Sequence, residues 1–316
     1  MTPLFSIITP SYNKAQYISS MIESVLDQTE TNWELIVIDD GSTDGTKEIL
    51  KQFEHTDKRF NFKYHSENKG ANYCRNLGVA LASGTYTIFV DADDLIASFC
   101  LNQRKQAIKT KTEADIWIFN MAVFNYKIGD LPSSKNWIVS DRTEKFLELF
   151  LNHSIPWQTM QSTWRTSYLI EFGGFDPEFR EFDDVEVHTS AILHGARIMP
   201  FKHLPVDVFY RIDENRKERS VFDHQTLIVS TAIKYYSKFF PKVKSEKNRK
   251  LLSGSLFQPL TSLCWQHRKN KITTAEFTRL KNKLIEACQY EQHQKKMNLY
   301  QKISKALPFH LPGLKK

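Results

Sequence analysis

A chain of 316 residues, 41% hydrophobic and 25% charged, is long enough for one large domain, or a domain with an appendage, and has the composition of an ordinary soluble globular protein. Its four cysteines (Cys74, Cys100, Cys264, Cys288) lie far apart without a CxxC pair, which argues against a disulfide framework or zinc site and leaves reduced cytosolic thiols as the expectation. No window reaches the roughly 18 apolar residues of a membrane span, and the start, MTPLFSIITPSYNK, has no basic stretch ahead of its apolar run, so a cytoplasmic protein is expected.

The net charge of +7 is unevenly spread. From Gln225 to Lys316 there are 19 lysines and arginines against 4 glutamates and no aspartate, a net of +15. The first 224 residues hold the other 24 basic and 32 acidic residues, a net of −8. A mildly acidic body carries a strongly basic tail, and the tail is the place to seek an anionic partner surface.

In chain order, LFSIIT (4–9) reads as a buried strand, and KAQYISSMIESVLDQ (14–28) as an amphipathic helix with Ile18, Ile22, Val25 and Leu26 on one side. WELIVIDD (33–40) is a second strand ending on Asp39 and Asp40, and Asp44 in GSTDGT starts a helix through KEILKQF. FNFKYH (60–65) is a weaker strand, NKGANYCRNLGVALASG (68–84) a helix closed by Gly84, and YTIFVDADD a fourth strand. Strands alternating with helices predict crossover connections and a mostly parallel sheet sandwiched by helices, which binds ligands at the carboxyl ends of its strands. Pro10, Tyr12, Asp39, Asp40, Asp91 and Asp93 all fall at that edge. Beyond it, 114–126 reads as one strand, 143–151 as a short helix, Asp183 to His194 as a helix after a glycine-rich turn, and 196–201 with 206–212 as a strand pair. From about 225 the pattern is helical and basic.

The run YTIFVDADDLI (86–96) leads a strand into three aspartates within four positions. Carboxylates that close repel, and where water is scarce at least one takes up a proton unless a cation is present. Turn formation or helix capping is one explanation of such aspartates. The other is a hard divalent cation, Mn²⁺ or Mg²⁺, which prefers carboxylate oxygens and shares its shell with phosphates. The first strand-to-helix turn, PSYNKAQY, lacks the glycines of a Rossmann dinucleotide site, and no GxxxxGK[ST] occurs. Phosphates would therefore be held by a metal and side chains.

FSIITPSYNKAQYISSMIESVLDQT, WELIVIDDGSTDGT, NKGANYCRNLGVALASGTYTIFVDADD and the later GGFDPEFREFDD together resemble inverting glycosyltransferases of family 2, of the bacterial surface-polysaccharide type, which have the GT-A fold. The resemblance implies a GT-A catalytic domain over 1–224, with a nucleotide-binding half to 95 and an acceptor-binding half from 96, followed by a basic helical region over 225–316. It implies that Pro10 and Tyr12 flank the base, that Asp40, with Asp39, hydrogen-bonds base or ribose, and that Arg75 faces the nucleotide. An acceptor carboxylate suits the N3–H of uracil, which favours a UDP-sugar donor. Asp91 and Asp93 would be the D-x-D pair, Asp93 the more direct metal ligand and Asp91 nearer the ribose; Asp94 is read as a loop or cap residue. Direct displacement with inversion also needs a base for the acceptor hydroxyl. The family places it in an acidic pair at a helix start, here Asp183 and Asp184, and Asp184 is assigned the role. Glu181, Asp183 and Glu186 are near, and acidic residues there also complement the helix dipole.

YRID (210–213) falls where relatives carry Tyr-Arg-x-His, so Arg211 is a candidate diphosphate contact; surface charge at a strand end is the other reading. Trp157 and Trp164 are read as acceptor contacts or core, and His188 and His194 as structural. In the tail, Phe277, Leu280, Leu284 and Cys288 recur at helical spacing among lysines, and KKMNLYQKISKALPFHLPGLKK continues the pattern. Such a stripe either lies on an anionic membrane surface or packs on the protein body. Lipid-linked acceptors are common in the family, so a peripheral location on the inner face of the plasma membrane is expected, and no nucleic acid. The expected activity is metal-dependent transfer of one sugar from a nucleotide-diphospho-sugar to a glycan or lipid-linked acceptor. The alternatives are a nucleotidyltransferase, which would need a glycine-rich first turn, and a nucleotide-sugar-binding protein without turnover.

Overall fold

The first strand, β1 (Phe5–Ser11), is buried at all seven residues, as a strand covered on both faces must be. The computed structural model describes residues 2–131, 145–212 and 220–304, with 299–304 as backbone alone. It forms two compact units, one of residues 1–150 and 154–216, the other of 151–153 and 217–316.

In the first unit β1 is followed by α1 (Ile18–Leu26), β2 (Trp33–Asp39), α2 (Thr46–Phe53), β3 (Phe60–Tyr64), α3 (Ala71–Leu81) and β4 (Tyr86–Phe89). β1 pairs in parallel with β2 and β4, and β2 with β3. Ser11 stands opposite Asp39 in register, so the ends of β1 and β2 share one edge. After the short strand β5 (Leu95–Ile96) and α4 (Cys100–Thr110), the sheet is extended by β6 (Ile116–Ile118), β8 (Ser162–Arg165) and β9 (Ile198–Pro200). The strand order is β3-β2-β1-β4-β8-β6-β9, with β8 antiparallel to both neighbours. A small second sheet, β5-β10-β7, joins β7 (Met121–Phe124) and β10 (Val208–Arg211) to β5.

Several elements differ from the sequence reading. The helix expected over 14–28 begins at Ile18, because Asn13 takes a positive φ of 53° and the Ala15 N–H is bonded to the Asp44 carboxylate. Helix α2 starts at Thr46 behind a left-handed Gly45; Asp44 still accepts the Thr46 N–H from one residue further back. The single strand over 114–126 is two strands in different sheets. The break is at Asn120, whose side-chain amide donates to the carbonyls of Lys202 and Leu204 instead of continuing a ladder. The segments 196–201 and 206–212 likewise belong to different sheets rather than to each other. β8, with sequence STWR, has no aliphatic run to announce it. The helices α5 (Phe146–Leu151), α6 (Thr166–Phe172) and α7 (Asp183–Leu193) complete this unit's sequence of elements.

α3 lies so close on β1 that a β-carbon at Gly78 would sit 2.3 Å from Cγ2 of Ile8. An ordinary helical Gly→Ala change gains about 1 kcal/mol. Here Gly78→Ala is expected to lower the thermal midpoint instead, through overpacking of about 1–3 kcal/mol; thermal unfolding followed by circular dichroism checks the sign.

The second unit is helical: α8 (Val221–Phe239), α9 (Glu246–Ser255), α10 (Phe257–Arg268), α11 (Thr274–Ala287) and α12 (Glu291–Ser304). Ser220, Ser245 and Thr273 cap three of them through their side chains, Thr273 in a capping box with Glu276. Phe277, Leu280, Leu284 and Cys288 are all buried, and α11 packs on α8 and α10. Of the two readings of this apolar stripe, packing on the protein is the one these four residues take. The stripe proposed further along, from Tyr300 onward, lies outside the described side chains. No helix among the described residues is long and apolar enough to cross a membrane.

Candidate active site

The β4 aspartates meet three different environments. Asp91 Oδ1 accepts from the Arg75 guanidinium at 2.8 Å, and Asp93 is bonded by the Lys14 ammonium. Asp94 is only 1% exposed and accepts the Arg211 backbone N–H at 2.7 Å. Burial, followed by repulsion from Asp93 and Asp91, holds its carboxyl well above the usual range. Two cations and one raised pKa therefore resolve the like-charge cluster. Asp94 is more than a loop residue, since it ties the turn after β4 to β10.

Arg75 reaches in two directions. One nitrogen meets Asp91; the other donates to Asp183 Oδ2 at 2.6 Å and to Asn72 Oδ1 at 2.9 Å. Its side chain is nearly buried, so the guanidinium braces the end of β4 against the start of α7. Asn72 and Asn76 extend this brace. Asn72 donates to the carbonyls of Asp176 and Phe179, while Asn76 exchanges hydrogen bonds with the Phe175 backbone. Gly174 passes so near that a β-carbon would lie 2.6 Å from Asn76 Oδ1, and its φ of +67° also calls for glycine.

At the start of α7, Asp183 is taken by Arg75, whereas Asp184 faces the turn before β8. Its Oδ1 accepts the Thr159 N–H at 2.7 Å and the Thr159 hydroxyl. Asp184 keeps a partly exposed edge yet is closely surrounded by protein. This desolvation, with repulsion from Asp183, raises its carboxyl to about 7 despite the opposing Thr159 bonds and Arg75. Among the described residues its Oδ2 has no hydrogen-bond partner. His188, one turn on, holds the Asp184 carbonyl through Nδ1 at 2.6 Å, and its buried ring contacts Phe150, Trp157 and Trp164.

At the other strand ends, Pro10 lies in buried β1 and Tyr12 is 45% exposed just beyond it. Asp39 accepts from the Ser42 N–H and hydroxyl, and burial raises its pKa. Asp40 takes the Lys69 and Gly70 N–H groups, at 2.9 and 2.8 Å, and so secures the entry to α3.

The sequence model described as "Glycosyl transferase family 2" matches residues 6–169, more than half of the chain and all of the sheet edge up to β8. The chain belongs to glycosyltransferase family 2. TuaG of Bacillus subtilis (strain 168), a glycosyltransferase named for teichuronic acid biosynthesis, is 50% identical over 92 residues, 29% of this chain and 36% of TuaG. The uncharacterized glycosyltransferase EpsJ of the same organism is 41% identical over 208 residues, 63% of this chain and 58% of EpsJ. Each match therefore spans less than two thirds of the relative's length. Residues 1–349 of Staphylococcus aureus TarS, solved with UDP-GlcNAc, align over 96% of this chain and 87% of that one at 19% identity, with a TM-score of 0.70. The fold is GT-A.

Within this family framework the structure gathers most of the expected residues at one edge. Arg75, expected to face the nucleotide, is spent on Asp91, Asp183 and Asn72. Arg211, expected at the diphosphate, donates from Nε to the Asp93 carbonyl and from Nη1 to the Asn125 carbonyl, and stacks near Tyr17 and Phe124. Trp157 and Trp164 are fully buried core, not acceptor contacts. Asp213 lies outside the described residues. Lys14, Asn72, Asn76 and Thr159 were not singled out from sequence. A signal existed for two of them: Asn72, Arg75 and Asn76 are spaced i, i+3, i+4, one face of a helix.

Asp91 and Asp93 fit a hard divalent cation by their chemistry. Both are carboxylates following one strand end, Asp91 well exposed, and Asp91 Oδ2 and Asp93 Oδ1 bear no hydrogen bond among the described residues.

Proposed function

We propose that this chain is an inverting glycosyltransferase that moves a sugar from a nucleotide-diphospho-sugar, a UDP-sugar, to a glycan or lipid-linked acceptor in surface-polysaccharide synthesis. The observation that carries the reading is the contrast between the two acidic centres joined by Arg75. Asp91 and Asp93 are matched to cations, whereas Asp184 is desolvated and poised near neutrality, as a general base should be.

In this reading Tyr12 packs on the base, and the second lone pairs of the Asp40 carboxylate accept the uracil N3–H. Asp91 and Asp93 would hold Mn²⁺ or Mg²⁺, which supplies charge stabilisation to the departing diphosphate. Arg75 keeps Asp91 and α7 in fixed relation, and Arg211 fixes the backbone that carries Asp93. The acceptor hydroxyl attacks the anomeric carbon as the bond to the diphosphate oxygen breaks. Asp184 takes the hydroxyl proton, and the electron pair leaves with the nucleoside diphosphate. The UDP-GlcNAc bound by TarS and the name of TuaG support a UDP-sugar and an envelope polymer as the substrate classes. A lipid-linked acceptor would bring the protein to an anionic membrane, met by the basic exterior of the helical unit rather than by the packed stripe of α11.

The test is a panel of UDP-, GDP- and dTDP-sugars with Mn²⁺. Release of nucleoside diphosphate is expected from a UDP-sugar, slowly with water as acceptor. No release and no binding by calorimetry across the whole panel, with or without metal, would overturn the assignment.

A further inference from the structure

The oxygen of Asp184 that a hydroxyl proton would reach is selected by the turn opposite it. We propose that Thr159 is a positioning residue for sugar transfer, pinning Asp184 Oδ1 with its backbone N–H and hydroxyl so that Oδ2 alone receives the acceptor's proton. This rests on the reading of Asp184 as the base.

The platform is rigid for reasons visible in its bonds. Thr159 opens the short turn Thr159–Gln161, with the Gln158 N–H on Gln161 Oε1 at 2.9 Å and Gln161 Nε2 on the Phe119 carbonyl at 2.9 Å. The Thr159 carbonyl accepts the Ser162 hydroxyl at 2.5 Å, and that hydroxyl accepts Trp164 Nε1–H at 2.7 Å. Thr159, Gln161, Ser162 and Trp164 are all buried. The turn is therefore anchored to Phe119 just after β6 on one side and to β8 on the other, and it offers Asp184 two donors that cannot easily swing away.

The opposite side of Asp184 is fixed as well. Burial pushes His188 down to about 3, so the ring is neutral and its Nδ1–H donates to the Asp184 carbonyl. Its Nε2 is buried without a partner, which removes His188 as a competing base. The charged groups facing Asp184 are then Asp183, which disfavours its ionised form, and Arg75, which favours it. Against desolvation and Asp183, the Thr159 hydroxyl is a donor that helps keep Asp184 ionised. One side chain thus sets both the direction and the protonation of the base.

Thr159→Val keeps the shape and the backbone donor and deletes only the hydroxyl bond. The expected result is an acid limb of the kcat–pH profile moved upward by about one pH unit, and kcat below neutrality reduced about tenfold. KM for the donor should be unchanged, and Thr159→Ser should restore the wild-type profile. Release of UDP from the best UDP-sugar of the panel gives the kinetic readout. Carbon-13 NMR of labelled aspartates, assigned with Asp184→Asn, follows the same titration without substrate. If Thr159→Val is poorly folded, Thr159→Ala removes the same hydroxyl. A lower thermal midpoint with an unmoved acid limb and an unmoved Asp184 titration would overturn the inference and reduce Thr159 to a packing residue. Transfer that survives in Asp184→Asn would instead sink the base assignment itself, so the two failures are separable.

Discussion

Asp184→Asn is expected to bind the UDP-sugar as the wild type does and to lose transfer by about 10²–10⁴-fold, the usual worth of a general base. The substitution keeps the Thr159 contacts, because an amide oxygen accepts as a carboxylate oxygen does, and removes only the ability to take a proton. In the proposed mechanism donor binding belongs to the other acidic centre, so KM for the donor should hold while kcat falls. The same group governs pH dependence. With its carboxyl raised to about 7, the wild-type rate should climb through neutrality as the base ionises. The stability consequence has the opposite sense. A carboxyl raised in the folded state stabilises the fold fully below its unfolded value near 3.8, and that contribution is lost as pH rises toward 7. Above neutrality the wild type carries a desolvated charge beside Asp183 that the asparagine variant lacks. Asp184→Asn should therefore be the more heat-stable protein at pH 8, with the advantage shrinking at acid pH. A variant that kept full transfer, or that was uniformly less stable at every pH, would show that Asp184 holds structure rather than a proton.

The sheet was legible because its strands are aliphatic runs with turn residues between them. β1 and β2 are buried almost throughout, and a buried parallel strand has no other way to look. The acidic edge followed from the rule that such sheets bind at their strand ends. What stayed hidden were elements whose identity lies in pairing rather than pattern. β8 is four residues held between β4 and β6. The split at Asn120 depends on carbonyls more than 80 residues away in the chain. The protein partners of Arg75 and Arg211 were hidden for the same reason. From sequence a guanidinium shows its charge and not the carboxylates and carbonyls that it meets in the fold. The sequence left the α11 stripe open between membrane and packing because amphipathic spacing reports that a face is covered without saying by what.

Asp93→Ala is expected to abolish the Mn²⁺ dependence of donor turnover and to lower kcat by about 10³-fold, since stabilising a departing diphosphate is worth several kcal/mol. Asp93 is the better candidate ligand of the pair because its partner is the easier to displace. Lys14 comes from the loop after β1, has a single charged tether to Asp93, and remains part-exposed. Asp91 is instead held by Arg75, a buried fork whose other arm is fixed on Asp183. Releasing Asp91 would leave a buried guanidinium short of a counter-charge, whereas Lys14 can turn to solvent or to a phosphate. Lys14→Met separates the two ways of neutralising Asp93. If the ammonium only competes for the carboxylate, Mn²⁺ binding measured by calorimetry should tighten. If the ammonium also meets the diphosphate, affinity for UDP should fall while that for Mn²⁺ rises. Asp93→Ala with an unaltered response to Mn²⁺ would mean that the acidic end of β4 is a structural turn whose charges are satisfied by Lys14 and Arg75 alone, and the assignment of a metal to it would be withdrawn.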